Sequence, residues 1–214
     1  MKKPWLDSIH PSKFIFDFVQ EYAVGKKVLD VGCAQGWYIK YLKDLDFEVT
    51  ASDIEKTLAF EDVPFVQTSG AELPFANEAF DTVLAINVVE HIKDEKKILA
   101  ELHRVAKTRL LLSVPNSEDD LLQKYNLTFR HQTDKSHYRS YSREEIKKKL
   151  EATGFEVKKI ILDGPVIPTV FVEFLPSKPL QVVGRKIINW LFTAGILKNP
   201  KLQADIFVVA DKLD

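Results

Sequence analysis

Cysteine occurs once in the 214 residues, at Cys33. That excludes a disulfide framework and a cysteine-built zinc site, and it suits a reducing cytoplasm. A charge excess is missing too: 30 Lys and Arg stand against 31 Asp and Glu. A dedicated nucleic-acid binder would show a basic surplus, so no nucleic-acid partner is expected. No apolar run reaches the roughly 20 residues of a membrane-spanning helix. The opening "MKKPWLDSIHPSKF" has no secretory h-region, and the expected location is cytoplasmic. Repeats and low-complexity linkers are absent. What remains is an ordinary soluble composition and enough chain for one domain, 1–214, with a substantial core.

Apolar runs alternate with amphipathic stretches. Ser12 to Tyr22 reads as a first helix, with Phe14, Ile15, Phe18 and Val19 as its stripe. Strands are expected at 28–31, 47–53, 63–68, 79–87, 109–115, 155–162 and 205–211. Gly36 to Lys43 reads as a helix. Asp94 to Val105 reads as another, capped by Asp94, with Ile98, Leu99, Leu102 and Val105 on one face. A later helix starts at Ser142, where Glu145 completes a capping-box pattern, and ends near Gly154. This alternation predicts an α/β fold: a largely parallel sheet with helices on both faces. Such sheets bind ligands beyond the carboxyl ends of their strands, at the switch point. Gly32, Asp53, Ser69, Asn87 and Asn116 each follow a strand.

The stretch "VLDVGCAQGWYIKYL" (28–42) holds a Gly-rich turn between strand and helix. A phosphate-binding P-loop needs Lys-Ser or Lys-Thr after its last glycine, and Gly36 is followed by Trp37 and Tyr38. A dinucleotide turn needs three glycines, the second for pyrophosphate and the third for close packing. Counted from Gly32, those places hold Ala34 and Trp37. A phosphate-free, cationic nucleoside meets neither objection. Asp30 at the strand tip suits a cation, and Asp53 ends the second strand about where an acid would hold ribose hydroxyls.

These blocks resemble the class I S-adenosylmethionine-dependent methyltransferases, in particular the small-molecule branch with an "LPF" segment and an "EH" after the fourth strand. "VLDVGCAQG" matches the first motif except at Ala34, where glycine is usual. "TASDIE", "TSGAELPFANEAFDTVLAINVVEHI", "LLLSVPN" and "HYRSYSREEIKKKLEATGFEV" match the later blocks in order. The resemblance runs from about Lys26 to Phe155. It implies a Rossmann-like, seven-stranded, mostly parallel sheet whose last strand is antiparallel. It also implies an enzyme that uses S-adenosylmethionine as cofactor and transfers methyl in line to a small acceptor. Asp30, Gly32, Ala34 and Gly36 would line the methionine half, with Cys33 a small residue of the same turn. Asp53 would hold the ribose and Ile54 would pack on adenine. Ser69 replaces the usual adenine-binding Asp, and the Gly70 amide would meet the ring. Asn87 and Val88 would meet the methionine tail.

A general base is needed where the nucleophile is a protonated hydroxyl or amine, and histidine suits that task. His137 is the first candidate and His91 the second. His131 shares the loop 129–142, which follows strand five, where this family places acceptor loops. His10 and Lys13 fall in an N-terminal stretch, about 1–24, expected to form a helical lid. Glu90 reads as tying down its loop, and no metal site is expected. Residues 163–204 read as an apolar insertion before the last strand. Within it, "PLQVVGRKIINWLFTAGILK" (179–198) has helical apolar spacing. It reads first as a lid or dimer-interface helix, and second as the mark of a small acceptor that is apolar or lipid-linked, or of a surface contact with a membrane or a lipid-linked glycan. Two rival functions stand beside the methyltransferase. One is a non-catalytic binding protein that keeps the pocket, with Ala34 and Ser69 as signs of decay. The other is an NAD-linked oxidoreductase, against which Trp37 speaks. The sequence names no oligomeric state.

Overall fold

Each central strand is apolar on both sides because each face of the sheet carries its own helical layer. The computed structural model describes residues 13–59, 62–118, 134–165, 175–194, 196 and 203–213. Among them one sheet contains β1 (Lys27–Val31), β2 (Glu48–Asp53), β3 (Phe65–Gln67), β4 (Phe80–Ile86), β5 (Ala106–Pro115), β6 (Phe155–Pro165) and β7 (Gln203–Lys212). The spatial order is β3-β2-β1-β4-β5-β7-β6. Strands β1 to β5 pair in parallel, whereas β7 runs antiparallel to both β5 and β6. This is the expected largely parallel sheet with a reversed last strand.

The helices are α1 (Lys13–Tyr22), α2 (Trp37–Asp44), α3 (Glu95–Val105), α4 (Arg143–Thr153) and α5 (Lys178–Thr193). Alternation along each strand splits the core in two. Val28, Leu84, Leu111 and Phe207 face one layer with Ile39 and Leu42 of α2 and Phe18 and Val19 of α1. Leu29, Val83, Ala85, Leu110 and Leu112 face the other, with Ile98 and Leu102 of α3 and Ile146 and Leu150 of α4. Each fully buried Leu or Ile contributes about 2 kcal/mol of transfer free energy. The N-terminal stretch expected to be a lid packs, over α1, against the sheet: Phe14 and Phe18 sit edge-on to Phe207 at 5.0 and 5.2 Å.

The expected caps form. Asp94 accepts from the Lys97 amide and Ser142 from the Glu145 amide, at 3.1 Å each. Gly154 ends α4 in the left-handed region. Two strands, β5 and β6, outrun their sequence boundaries by three residues. β5 begins at Ala106, which pairs with Phe80 before a register shift. β6 continues to Pro165 because β7 pairs with it throughout, Asp163 opposite Asp205 and Pro165 opposite Gln203. The insertion expected over 163–204 therefore starts inside β6 and ends inside β7, because ladder pairing outlasts the apolar pattern. The chain steps outward from β1 to β2 and β3, then returns to place β4 on the other side of β1. The turns after β1 and β4 thus stand side by side at the switch point, where a crevice opens.

Candidate functional site

The turn after β1 is held by the end of β2. The amides of Gly32 and Cys33 both donate to the Ser52 carbonyl, at 2.8 and 3.1 Å. The Ala34 amide donates to Asp53 Oδ2 at 2.8 Å, and Thr57 Oγ1 donates to the Ala34 carbonyl at 3.0 Å. Gly32 has φ +71°, and a Cβ there would lie 2.4 Å from Val88 Cγ2. Only glycine fits that close approach of the turn after β1 to the turn after β4. Ala34 also takes a left-handed φ, +45°. Such a conformation costs an L-residue roughly 1–2 kcal/mol, which explains why the family's first motif prefers glycine there.

On the other wall, Asn87 (φ +54°) leaves β4. Its amide meets Ser113 Oγ at 3.1 Å, and that hydroxyl donates to Asn87 Oδ1 at 2.9 Å. A short 3₁₀ turn, Val89–His91, follows. Between the walls lies a cleft of about 190 Å³ lined by Val31, Gly32, Asp53, Ile54, Thr68, Ser69, Gly70, Asn87, Val88, His91 and Ile92. Seven of the residues expected at the cofactor are in that lining: Gly32, Asp53, Ile54, Ser69, Gly70, Asn87 and Val88. Asp30, Cys33, Ala34 and Gly36 are not. Asp30 and Cys33 are buried behind the turn, while Gly36 caps α2. Thr68 and Ile92 had no sequence signal beyond their place next to motif residues.

Asp30 is 1% exposed and its Oδ2 has no hydrogen-bond partner. Burial first, and the charge of Asp53 second, push its carboxyl up to about 8. A buried acid without a partner beside a second acid is poised for a cation and hostile to a pyrophosphate. The site therefore fits a sulfonium- and ammonium-bearing nucleoside. Asp53 spends Oδ2 on the Ala34 amide, and its Oδ1 accepts from the Glu55 amide at 3.3 Å. Its carboxylate thus positions the turn as well as facing the cleft.

His91, at the edge of the cleft, and His137 behind it stand edge-to-face with centroids 4.5 Å apart. Ser136 Oγ donates to Asp134 Oδ1 at 2.6 Å and lies 3.1 Å from His91 Nδ1. With its proton spent on Asp134, the hydroxyl accepts from His91, which assigns the proton to Nδ1 and leaves Nε2 as the basic atom. His137 does not line the cleft. Burial and then the neighbouring His91 hold its pKa below the usual value. Glu90, His91 and His137 each bring a donor atom within 4.8 Å of the others, donor types that also suit a divalent cation.

Glu90 does not tie down its loop through its side chain. It is fully buried, and neither carboxylate oxygen has a hydrogen-bond partner. Burial above all pushes its pKa up to about 8, with Asp205 adding to that. The tying is done by Arg139, which donates to the carbonyls of Val89, Ile92 and Lys93 at 3.1, 2.6 and 2.8 Å. The Glu90 carbonyl helps by accepting from the Tyr138 amide at 2.9 Å. His10 and His131 lie outside the described residues, and Lys13 is described only as the first residue of α1.

A family model described as a methyltransferase domain matches residues 9–160. The chain belongs to that family. A curated relative from Mycolicibacterium smegmatis, named "Probable S-adenosylmethionine-dependent methyltransferase", is 27% identical over 156 residues, 67% of this chain and 57% of that protein. A malonyl-[acyl-carrier protein] O-methyltransferase from Erwinia billingiae is 32% identical over 87 residues, 38% of this chain and 35% of that protein. The chain thus spans between about a third and just over half of these relatives' lengths. Among solved structures, a SAM-dependent methyltransferase from Archaeoglobus fulgidus superposes with TM-score 0.62 at 21% identity, covering 94% of each chain. Magnesium protoporphyrin IX methyltransferase from Synechocystis, with bound SAH, gives 0.60 at 17% identity, covering 94% of this chain and 81% of that one. These structures share the fold. The family match and the sequence relatives, not the fold alone, support S-adenosylmethionine as the cofactor.

Proposed function

We propose that this methyltransferase acts on a hydroxyl or amine of a small acceptor, with His91 as general base. The observation that carries the reading is the pairing of an unpartnered buried acid, Asp30, with a cleft whose far wall ends in His91. When bound, S-adenosylmethionine supplies the methyl group on a sulfonium. Asp30 would offer that cationic ligand its carboxylate, and Asp53 its free lone pairs to ribose hydroxyls. Ile54, 60% exposed at the rim, gives adenine an apolar face. Ser69 and Gly70 would meet the edge of the ring, and Asn87 and Val88 the methionine tail. Nε2 of His91 takes the acceptor's proton while Ser136 and Asp134 hold the ring. Lining the cleft puts His91 ahead of His137, which buttresses it edge-on. The name of the Erwinia relative supports an oxygen nucleophile.

The test has two parts. Isothermal titration should show binding of S-adenosylmethionine and S-adenosylhomocysteine and none of NAD. A radiolabelled methyl-transfer screen against hydroxyl- and amine-bearing small molecules should then yield a labelled product. His91→Gln should lower kcat by about 10²–10⁴ with cofactor affinity unchanged. Binding without transfer to any acceptor would favour the non-catalytic alternative. A His91→Gln enzyme with full kcat would remove the base assignment.

A further inference from the structure

Among the described residues, none of helix α5 belongs to either core. Leu180, Val182, Val183, Ile187 and Trp190 on it, and Ile196 just beyond, are each between 50% and 63% exposed. At 100° per residue, Leu180, Val183, Ile187 and Trp190 fall within one quarter of the helix circumference. Gln181, Gly184, Ile188 and Leu191 are partly covered and lie on the adjacent side. Lys178 and Arg185 fall on the polar side, and Lys186 flanks the apolar arc. A solvated helix would not leave a tryptophan and three aliphatic side chains half bare along one stripe.

Charge identifies what covers that stripe. Between Phe174 and Ala204 the sequence has five cations, Lys178, Arg185, Lys186, Lys198 and Lys201, and no Asp or Glu. The chain as a whole is balanced, so this segment is a local basic block. A second copy of the chain seated on the stripe would bring two such blocks together. An anionic phospholipid surface meets both demands, with headgroups for the cations and acyl boundary for the stripe. No helix among the described residues is long and apolar enough to cross a membrane, so α5 would lie in the interface plane.

We propose that α5 docks this methyltransferase on an anionic membrane surface, with Leu180, Val183, Ile187 and Trp190 inserted at the headgroup–acyl boundary. The helix leads into β7, whose first residues pair with the ends of β5 and β6 at the carboxyl edge of the sheet. Docking would therefore hold the ligand-binding edge close to the lipid. The inference does not depend on which acceptor is methylated.

Flotation with phosphatidylcholine vesicles, with and without phosphatidylglycerol, tests it directly. The protein should float with the anionic vesicles, stay behind with the neutral ones, and be released by high salt. Lys178→Gln and Lys186→Gln should each weaken vesicle partitioning about fivefold. Ile187→Glu with Trp190→Glu should abolish flotation while leaving the thermal melting profile and S-adenosylmethionine binding of the wild type. No flotation with anionic vesicles overturns the proposal, as does flotation that persists in the Ile187→Glu, Trp190→Glu variant. A wild-type dimer by light scattering that becomes a monomer in that variant would overturn it in favour of a second copy.

Discussion

Asp30 makes the cofactor site testable by proton counting. Its carboxyl sits at about 8 in the free protein, chiefly because burial disfavours the charge. At pH 7 the group is then about nine-tenths protonated. A cationic ligand beside it favours the carboxylate, so binding must expel that proton. Calorimetry in buffers of different ionisation enthalpy should report release of about one proton at pH 6.5. The release should fall toward zero by about pH 9.5. Through linkage, the wild-type affinity should gain about tenfold between pH 7 and pH 9 relative to Asp30→Asn, which shares the ligand's own titration and lacks the acid. At pH 9 the Asn variant should bind about 1.5–3 kcal/mol more weakly, the worth of a hydrogen bond to a charged group. Equal proton release by the two proteins would refute the assignment of Asp30 to the cation.

Gly32→Ala places a methyl 2.4 Å from Val88 Cγ2 at φ +71°; it should cost at least about 2 kcal/mol and weaken cofactor binding, read by urea melting and calorimetry. Ala34→Gly should relieve left-handed strain at φ +45° and raise the unfolding free energy read from urea melts by up to about 1 kcal/mol, because the glycine's greater unfolded-state entropy offsets part of the relief. Glu90 titrates at about 8 in the fold against 4.5 outside it. The native state therefore holds a proton that the unfolded state has lost, and stability falls as pH rises from about 4.5 to 8, by up to about 5 kcal/mol at 1.4 kcal/mol per unit. Glu90→Gln should flatten that slope in melts taken from pH 5 to pH 9. Turnover should survive exhaustive chelation, since His91 is assigned a proton and not a metal; lost activity restored by a divalent cation would reassign Glu90, His91 and His137 as ligands.

The fold was legible where one rule acted alone. Apolar runs such as "TVLAI" could only be central strands, and Asp94, Ser142 and Gly154 end their helices by local hydrogen bonding or backbone geometry. Boundaries failed where pairing across the sheet decided them. β6 runs on through Asp163 to Pro165 because β7 supplies partners there, a fact written forty residues away. The role of α1 was missed for the same reason. Its stripe of Phe14, Phe18 and Val19 gave the helix, but the partner that draws it onto the sheet is Phe207.

The site divides along the same line. The part of the cleft proposed to hold the cofactor follows from residues at fixed offsets from strand ends, so Gly32, Asp53, Ile54, Ser69, Gly70, Asn87 and Val88 line one cleft, as their spacing implies. The histidine side, proposed to face the acceptor, is built from contacts that no spacing encodes. The order of the two histidines turns on Ser136, which reaches His91 across 45 residues, and on Arg139, which gathers three carbonyls of the turn that carries His91. Arg139 satisfies the backbone of that turn so completely that the Glu90 side chain is left with no structural task. A fully buried carboxylate without a partner is expensive to keep. The fold retains two such acids near the cleft, Asp30 behind the β1 turn and Glu90 beside His91; on the proposed reading, Asp30 gains its partner when the cationic cofactor binds, which is what the proton-release experiment measures.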